Sequence, residues 1–284
     1  MKLIEDIHHL YKLINSIKEK FEVINSNFFL MPSAINTYPD QNQMFWKMDA
    51  NGLFLICEEN DFYYLYYFLS MNPVLKGVDW FGNLHKPIII NHIFFESNKP
   101  KNLIEAEVYW MNVGFKNYRV NRRMTSFKLV DESEKTRNKS KKENYYVDYA
   151  KTTDAGEILN LWRNNLDIYT SPLPTYNKII NIIEKRQMLG GYKKNNTLVA
   201  ALQIGLIKNI SYIDYLAVNQ EYRRLGLAQA LLDSYFSLPD KISRHFLWVN
   251  ETNYPAIKLY KHNGFIFDGK ISSQLILLQS SSVQ

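Results

Sequence analysis

Fourteen consecutive residues, Asp131–Asn144 (DESEKTRNKSKKEN), hold five basic and four acidic side chains and no apolar one. Such a segment buries too little surface to offset the entropy of ordering it, so it reads as a solvated linker. It divides the 284 residues into 1–130 and 145–284, each of ordinary domain length. With 46% hydrophobic and 22% charged residues, either half can bury its own core, and eleven Gly and nine Pro are too few for a collagenous or low-complexity chain.

In the second half Tyr145–Ala150 reads as a strand, and Asp154 with Glu157 three residues on forms a capping-box-like start. Ile158, Leu161, Trp162 and Leu166 then recur at helical spacing, and after Pro172 and Pro174 so do Tyr176, Ile179, Ile180 and Ile183. Residues 190–207 predict a hairpin around Asn195-Asn196, and Ser211–Val218 predicts the next strand. A helix follows with Leu227, Ala230, Leu231, Tyr235 and Leu238 on one stripe. A strand at His245–Asn250, a helix from Pro255 to His262 and a strand near Gln274–Leu278 complete the order β-α-α-β-β-β-α-β-α-β. That order predicts an α/β (α+β) fold, a mixed central sheet flanked by helices.

The first half opens with a helix whose expected apolar residues are Ile4, Ile7, Tyr11, Ile14 and Phe21. Strand-like runs follow at Gly52–Cys57, Phe62–Leu69 and Ile88–Phe95, then a helix at Leu103–Val113. The aromatic run Phe62–Phe68, taken as a strand, puts one aromatic face toward the core and leaves the other for core, ligand or neighbouring domain. Ala106-Glu-Val-Tyr-Trp110-Met-Asn-Val-Gly114-Phe115 aligns with Ala256-Ile-Lys-Leu-Tyr260-Lys-His-Asn-Gly264-Phe265 at a constant offset of 150. A helix ending at a glycine cap, with Phe returning to the core, accounts for each copy. An offset near half the chain predicts two tandem domains of like build.

Composition removes several classes of function. The single cysteine, Cys57, excludes an intramolecular disulfide and a multi-cysteine metal site, and beside Leu55 and Ile56 it reads as a small buried hydrophobe. His245 and His262 have no partner at ligand spacing, so no metal is expected. The amino-terminal residues lack the apolar core of a signal peptide, and no stretch reaches the ~18 apolar residues of a membrane span, so a cytoplasmic, membrane-free protein is expected. A net charge of +6, spread along the chain, lacks the basic stripe of a nucleic-acid binder.

The chemistry-bearing segment is Arg223-Arg224-Leu225-Gly226-Leu227-Ala228, between a strand and a helix. Such a junction points backbone N–H groups outward at the positive end of the helix dipole. Gly226 admits close approach, Ala228 keeps the first turn narrow, and two arginines add charge, which together make a cradle for a diphosphate. No Gly-Lys-Ser/Thr follows and the glycine triplet is missing, so it is neither a Walker loop nor a dinucleotide fingerprint.

Here the chain resembles the GNAT superfamily of N-acetyltransferases, whose loop Arg/Gln-x-x-Gly-x-Gly/Ala is matched by Arg223-x-x-Gly226-x-Ala228. The approach Leu216–Tyr222 and the stretch Val249–Tyr260, ending in Gly264-Phe265, are also similar, and the resemblance covers about Tyr145 to Leu278. It implies acetyl-CoA as donor, with Leu216, Ala217 and Val218 along the pantetheine arm and the Val218 N–H as oxyanion donor. It also implies that Arg223, Arg224, Leu225, Gly226, Leu227 and Ala228 hold the diphosphate and that Asn253 touches the cofactor. Tyr260 matches the general acid; without the flanking motif it reads instead as a core aromatic on an amphipathic helix.

Asp214 is the candidate base, since alternation puts it on one sheet face with Leu216 and Val218; a structural carboxylate is the other reading. Glu251, at a strand end, is weaker. In the first half Trp110 stands at the position of Tyr260 and no comparable loop precedes it, so that half is expected to be non-catalytic. The resulting expectation is transfer of an acetyl or short acyl group to a primary amine of a small-molecule acceptor. Two alternatives stay open: a peptidoglycan-bridge type aminoacyltransferase, and a non-catalytic module that binds CoA or a partner.

Overall fold

A computed structural model describes residues 1–21, 24–28, 44–70, 73, 79–127, 144–170, 172–237 and 242–279. Linker residues 131–143, and Leu238 of the expected helix stripe, lie outside them. The chain forms two compact units, Met1–Val120 with Gly269–Gln284, and Asn121–Asp268.

The first unit contains strands β1 (Lys2–Leu3), β2 (Ile24–Ser26), β3 (Met44–Met48), β4 (Gly52–Glu58), β5 (Tyr63–Ser70) and β6 (Ile88–Phe95), with helices α1 (Ile7–Lys20) and α2 (Lys101–Val113). Its core strand β4 is apolar at nearly every position because helices cover both faces. Leu53, Leu55 and Cys57 pack with Leu10, Leu13, Ile14 and Ile17 of α1. Phe54 and Ile56 pack with Ala106, Tyr109 and Trp110 of α2. Tyr11 of the expected helical stripe is exposed; Leu10 and Ile17 take the buried positions. The aromatic run also divides between two cores, Tyr63, Leu65 and Tyr67 on one face and Tyr64, Tyr66 and Phe68 on the other. Neither face is left for a ligand.

The second unit contains β8 (Tyr145–Tyr149), α3 (Ala155–Asn165), α4 (Tyr176–Glu184), β9 (Met188–Lys193), β10 (Leu198–Ile207), β11 (Ile210–Val218), α5 (Leu227–Phe236), β12 (Arg244–Asn250) and α6 (Tyr254–His262). The expected element order is present, and the sheet is mixed, β12-β11-β10-β9-β8, with β11 and β12 parallel. Ile158, Trp162, Ile179 and Ile183 of α3 and α4 cover one face against Ala201 and Ala217. Leu227, Leu231, Tyr235 and Tyr260 of α5 and α6 cover the other against Leu202, Ile204, Ile213 and Leu247. The expected capping box at the start of α3 is not formed. Asp154 Oδ2 instead accepts from the Lys151 N–H at 2.8 Å and the Tyr192 hydroxyl at 2.6 Å.

Two long strands differ from the boundaries expected from sequence. In β7 (Lys116–Ser126), Asn121–Ser126 pair antiparallel with Asn250–His245, so the second unit starts before the charged linker. β13 runs from Ile266 to Leu277, longer than the strand expected near Gln274, and its Lys270–Leu277 pair antiparallel with Phe95–Ile88. From Gly269 onward the chain's last strand therefore belongs to the first unit. Both boundaries fall inside strands rather than in loops, so the charged linker was the more visible break in the sequence.

The repeat at offset 150 has matching geometry in both copies. Gly114 (φ 112°) donates to the Met111 carbonyl at 3.0 Å and Phe115 to that of Trp110 at 3.0 Å. Gly264 (φ 82°) donates to Lys261 at 3.1 Å and Phe265 to Tyr260 at 3.0 Å. The rings meet edge-on in each, Trp110 with Phe115 at 5.4 Å and Tyr260 with Phe265 at 5.9 Å. A Cβ would meet only ordinary contacts, Leu277 at 3.5 Å for Gly114 and Ser126 at 3.6 Å for Gly264. The cost of alanine is thus the left-handed backbone alone. Gly114→Ala and Gly264→Ala should each lower unfolding free energy by about 1 kcal/mol, measured by urea denaturation.

Candidate acyl-transfer site

The site is built on the divergence of two parallel strands. β11 and β12 pair only over Ile210–Ile213 and Arg244–Leu247, although β11 continues to Val218 and β12 to Asn250. The antiparallel register with β10 decides where the backbone of β11 points. Asn219 N–H donates to the Val199 carbonyl at 2.9 Å, and Ala201 faces Ala217. Hydrogen-bonded pairs alternate, so Ala217 bonds to β10 while the amides of Leu216 and Val218 turn to the opposite edge, where β12 has left. That edge presents N–H and C=O groups that require a partner.

Past the strand, a short turn Gln220–Tyr222 leads into the loop 223–226. Arg224 (φ 63°) and Gly226 (φ 78°) are both left-handed, and Gly226 is the N-cap of α5 without any side-chain cap. α4 and α6 differ: Thr175 caps the Lys178 N–H, and Asn253 caps the Ala256 N–H at 3.2 Å. The first amides of α5, at Leu227 and Ala228, receive no side-chain cap and point where they can donate to an anion outside the helix. Arg223 acts as a strut, its Nε donating to the Val218 carbonyl at 3.2 Å and its Nη2 to Asn165 Oδ1 at 2.8 Å. Arg224 and Leu225 are exposed and Leu227 anchors the helix in the core. Asn165 is a residue that sequence reasoning missed; nothing in its spacing links it to a loop 58 residues on.

Asp214 sits at an irregularity. Gln203 faces Tyr215 and Ile204 faces Ile213, so Asp214 is the extra residue of a β-bulge. The bulge breaks the alternation from which a face shared with Leu216 and Val218 was expected. Ile213, Leu216 and Val218 pack on the side of α5 and α6, and Tyr215 and Ala217 on the side of α3 and α4. Asp214 joins the latter side, where Gln203 Nε2 donates to its Oδ2 at 2.9 Å. Its side chain is open to solvent yet closely surrounded by protein atoms. The desolvation pushes its pKa up to about 6, opposed by the Gln203 hydrogen bond and the Lys178 charge on α4. Gln203 was also missed, although a lone amide in the apolar run Leu198–Ile207 is a visible signal.

Tyr260 is buried in the core cluster that Leu216 and Val218 pack against, and burial pushes its phenol up to about 12. Asn253 and Glu251 are exposed. His245 is buried with Nδ1 at 2.7 Å from Ser211 Oγ and 3.0 Å from the Tyr235 hydroxyl, inside the structural core. Among the described residues no group of three or more His, Cys, Asp or Glu is placed to hold a metal, and no helix is long and apolar enough to cross a membrane. A groove of about 660 Å³ beside the loop is lined by Glu157, Asn160, Asn164, Asn165, Asn219 and Glu221 among others.

The raised pKa of Asp214 carries a consequence for stability. Folding favours its neutral form, since about 6 lies above the usual 3.8, so stability falls as pH rises from about 4 through about 6. Asp214→Asn should therefore raise Tm at pH 8, with the gain vanishing near pH 4, as followed by calorimetry across pH.

No curated protein matches the chain by sequence. Among solved structures, a GCN5-related N-acetyltransferase from Sphaerobacter thermophilus aligns with TM-score 0.54 at 14% identity, covering 84% of this chain and 78% of that one. A fungal GCN5-related glucosamine N-acetyltransferase region, within a multi-domain GH3 β-N-acetylglucosaminidase, aligns with TM-score 0.59 at 12% identity, covering 96% of this chain and 37% of that one. These likenesses are of fold. The model of the acetyltransferase (GNAT) family matches residues 157–265, a span that holds the diverging strands, the loop, the bulge and Tyr260. The second unit thus carries an acetyltransferase domain of the GNAT family.

Proposed function

We propose that the second unit transfers an acetyl or other short acyl group from acyl-CoA to a primary amine of a small-molecule acceptor. The observation that carries this reading is the uncapped glycine N-terminus of α5, set directly after a strand edge whose amides face a gap. The residues fit the donor. The amides from Arg224 to Ala228 hold the diphosphate at the positive end of α5. The free edge at Leu216 and Val218 pairs with the amides of the pantetheine arm, Ala217 keeps that strand bonded to β10, and Arg223 fixes the strand end to the loop. Asn253 orients the start of α6.

The proton transfers divide between the two faces of β11. Asp214, on the side of α3 and α4, takes a proton from the acceptor ammonium, whose nitrogen then attacks the thioester carbonyl carbon. The Val218 N–H holds the oxyanion, a contribution of ~3 kcal/mol for a preorganised donor. When the C–S bond breaks, Tyr260, on the side of α5 and α6, gives its proton to the departing thiolate. The burial that raises the phenol also raises a thiolate held beside it, so their affinities for the proton stay comparable. Nitrogen and sulfur share the carbonyl carbon in the tetrahedral intermediate, and base and acid on opposite faces assign their two proton transfers to separate groups.

Gly226→Trp should abolish acetyl-CoA binding in calorimetry; unchanged affinity rejects the diphosphate assignment. Tyr260→Phe should lower kcat by about 10²-fold with donor affinity nearly unchanged, read by free-thiol release across an amine panel. In the wild-type protein kcat/KM should rise with pH through about 6 as Asp214 loses its proton, and Asp214→Asn should remove that limb.

A further inference from the structure

The first unit contains the same divergence as the second, and there the gap is filled. β5 and β6 are parallel and pair only at Tyr63–Tyr64 and Ile88–Ile89, although they continue to Ser70 and Phe95. The residues Ile24–Asn27 lie along the edge that this divergence exposes. β2 runs antiparallel to β5, with Ile24 facing Ser70, Asn25 facing Leu69 and Ser26 facing Phe68. Asn27 follows, fully buried, and its side chain spans the gap. The Tyr67 N–H donates to Asn27 Oδ1 at 2.8 Å. Asn27 Nδ2 donates to the Leu65 carbonyl at 3.0 Å and to the Asn91 carbonyl of β6 at 3.3 Å. One carboxamide thereby uses its acceptor and both donors to bridge the two strands.

Register gives Leu65 and Tyr67 the part that Leu216 and Val218 play in the second unit: their groups point away from the antiparallel neighbour and into the gap. In one unit an amide of the chain itself meets them; in the other, among the described residues, the Arg223 Nε reaches the Val218 carbonyl and no strand runs along the edge beyond Ile213. The segment after β5, Met71-Asn-Pro-Val-Leu-Lys-Gly-Val78, also lacks the spacing of Arg223-x-x-Gly226-x-Ala228. We infer that residues Ile24–Asn27 are a built-in occupant of the first unit's strand gap, with Asn27 in the place of a ligand amide, so that the chain binds one acyl-CoA and not two. The count of one rests on the acyl-CoA reading of the second unit; the occupied gap does not.

Amide hydrogen exchange, with and without coenzyme A, separates these points. The Tyr67 amide should be protected in the free protein and unchanged by coenzyme A, while the amides of Leu216 and Val218 should gain protection. Calorimetry should give one coenzyme A per chain, and none after Gly226→Trp. Asn27→Ala should speed exchange at Tyr67 by about tenfold or more while leaving coenzyme A affinity unchanged. An unprotected Tyr67 amide in the wild-type protein, a change in its exchange on adding coenzyme A, two molecules bound per chain, or one still bound after Gly226→Trp would each overturn the inference. No binding at all, with Tyr67 protected, rejects the acyl-CoA reading and leaves the occupied gap standing.

Discussion

Two parallel strands that part company leave backbone donors and acceptors facing a gap, and a protein must meet them with something. In both units the parallel pairing stops after a few residues, at Ile213 and Leu247 in one and at Tyr64 and Ile89 in the other. The two units answer the same demand differently. The first supplies its own strand and carboxamide. In the second, among the described residues, no strand follows that edge, which lies beside a loop whose helix has no side-chain cap; on the acyl-CoA reading an extended, amide-bearing, anionic ligand takes that place. On the acyl-CoA reading, the units differ in chemistry because of this one difference in what fills the gap.

Features written in a few consecutive residues were legible. The loop Arg223–Ala228, the hairpin at Asn195-Asn196 and the glycine ends at Gly114 and Gly264 depend on local backbone preference, which sequence carries directly. The element order of the second unit was legible for the same reason. Asp214 was identified but placed on the wrong face, because alternation assumes an unbroken ladder and one inserted residue reverses it. Asn165, Gln203 and Asn27 act through partners 58, 11 and 40 residues away, and no period or composition marks such a pairing. The unit boundary was misplaced for a related reason: β7 and β13 each run as a strand through it, at Val120 and at Gly269.

Desolvation by surrounding protein atoms acts on both titratable groups of the site in the same direction and with opposite effects on their readiness to react. Raising Asp214 to about 6 makes it a better base near neutral pH while leaving it largely ionised there. Raising Tyr260 to about 12 makes it a poorer acid in water, and useful only toward a partner in the same dry surroundings. The assignment of Tyr260 therefore depends on the thiolate being held inside the gap between β11 and β12. A site open enough to hydrate the sulfur would let water protonate it and leave the phenol idle.

The repeat shows which parts of such a helix end fold stability constrains and which it does not. At offset 150 the glycine, the phenylalanine and both capping hydrogen bonds are the same, because each ends a helix and returns the chain to a core. The position four residues before the glycine is held only to an aromatic that meets that phenylalanine edge-on. Trp110 and Tyr260 satisfy this equally. Packing cannot distinguish an indole from a phenol there; a departing thiolate can. The choice of tyrosine in the unit with the open gap, and of tryptophan in the unit whose gap Asn27 closes, is the substitution expected if chemistry acts on one copy and packing alone on the other.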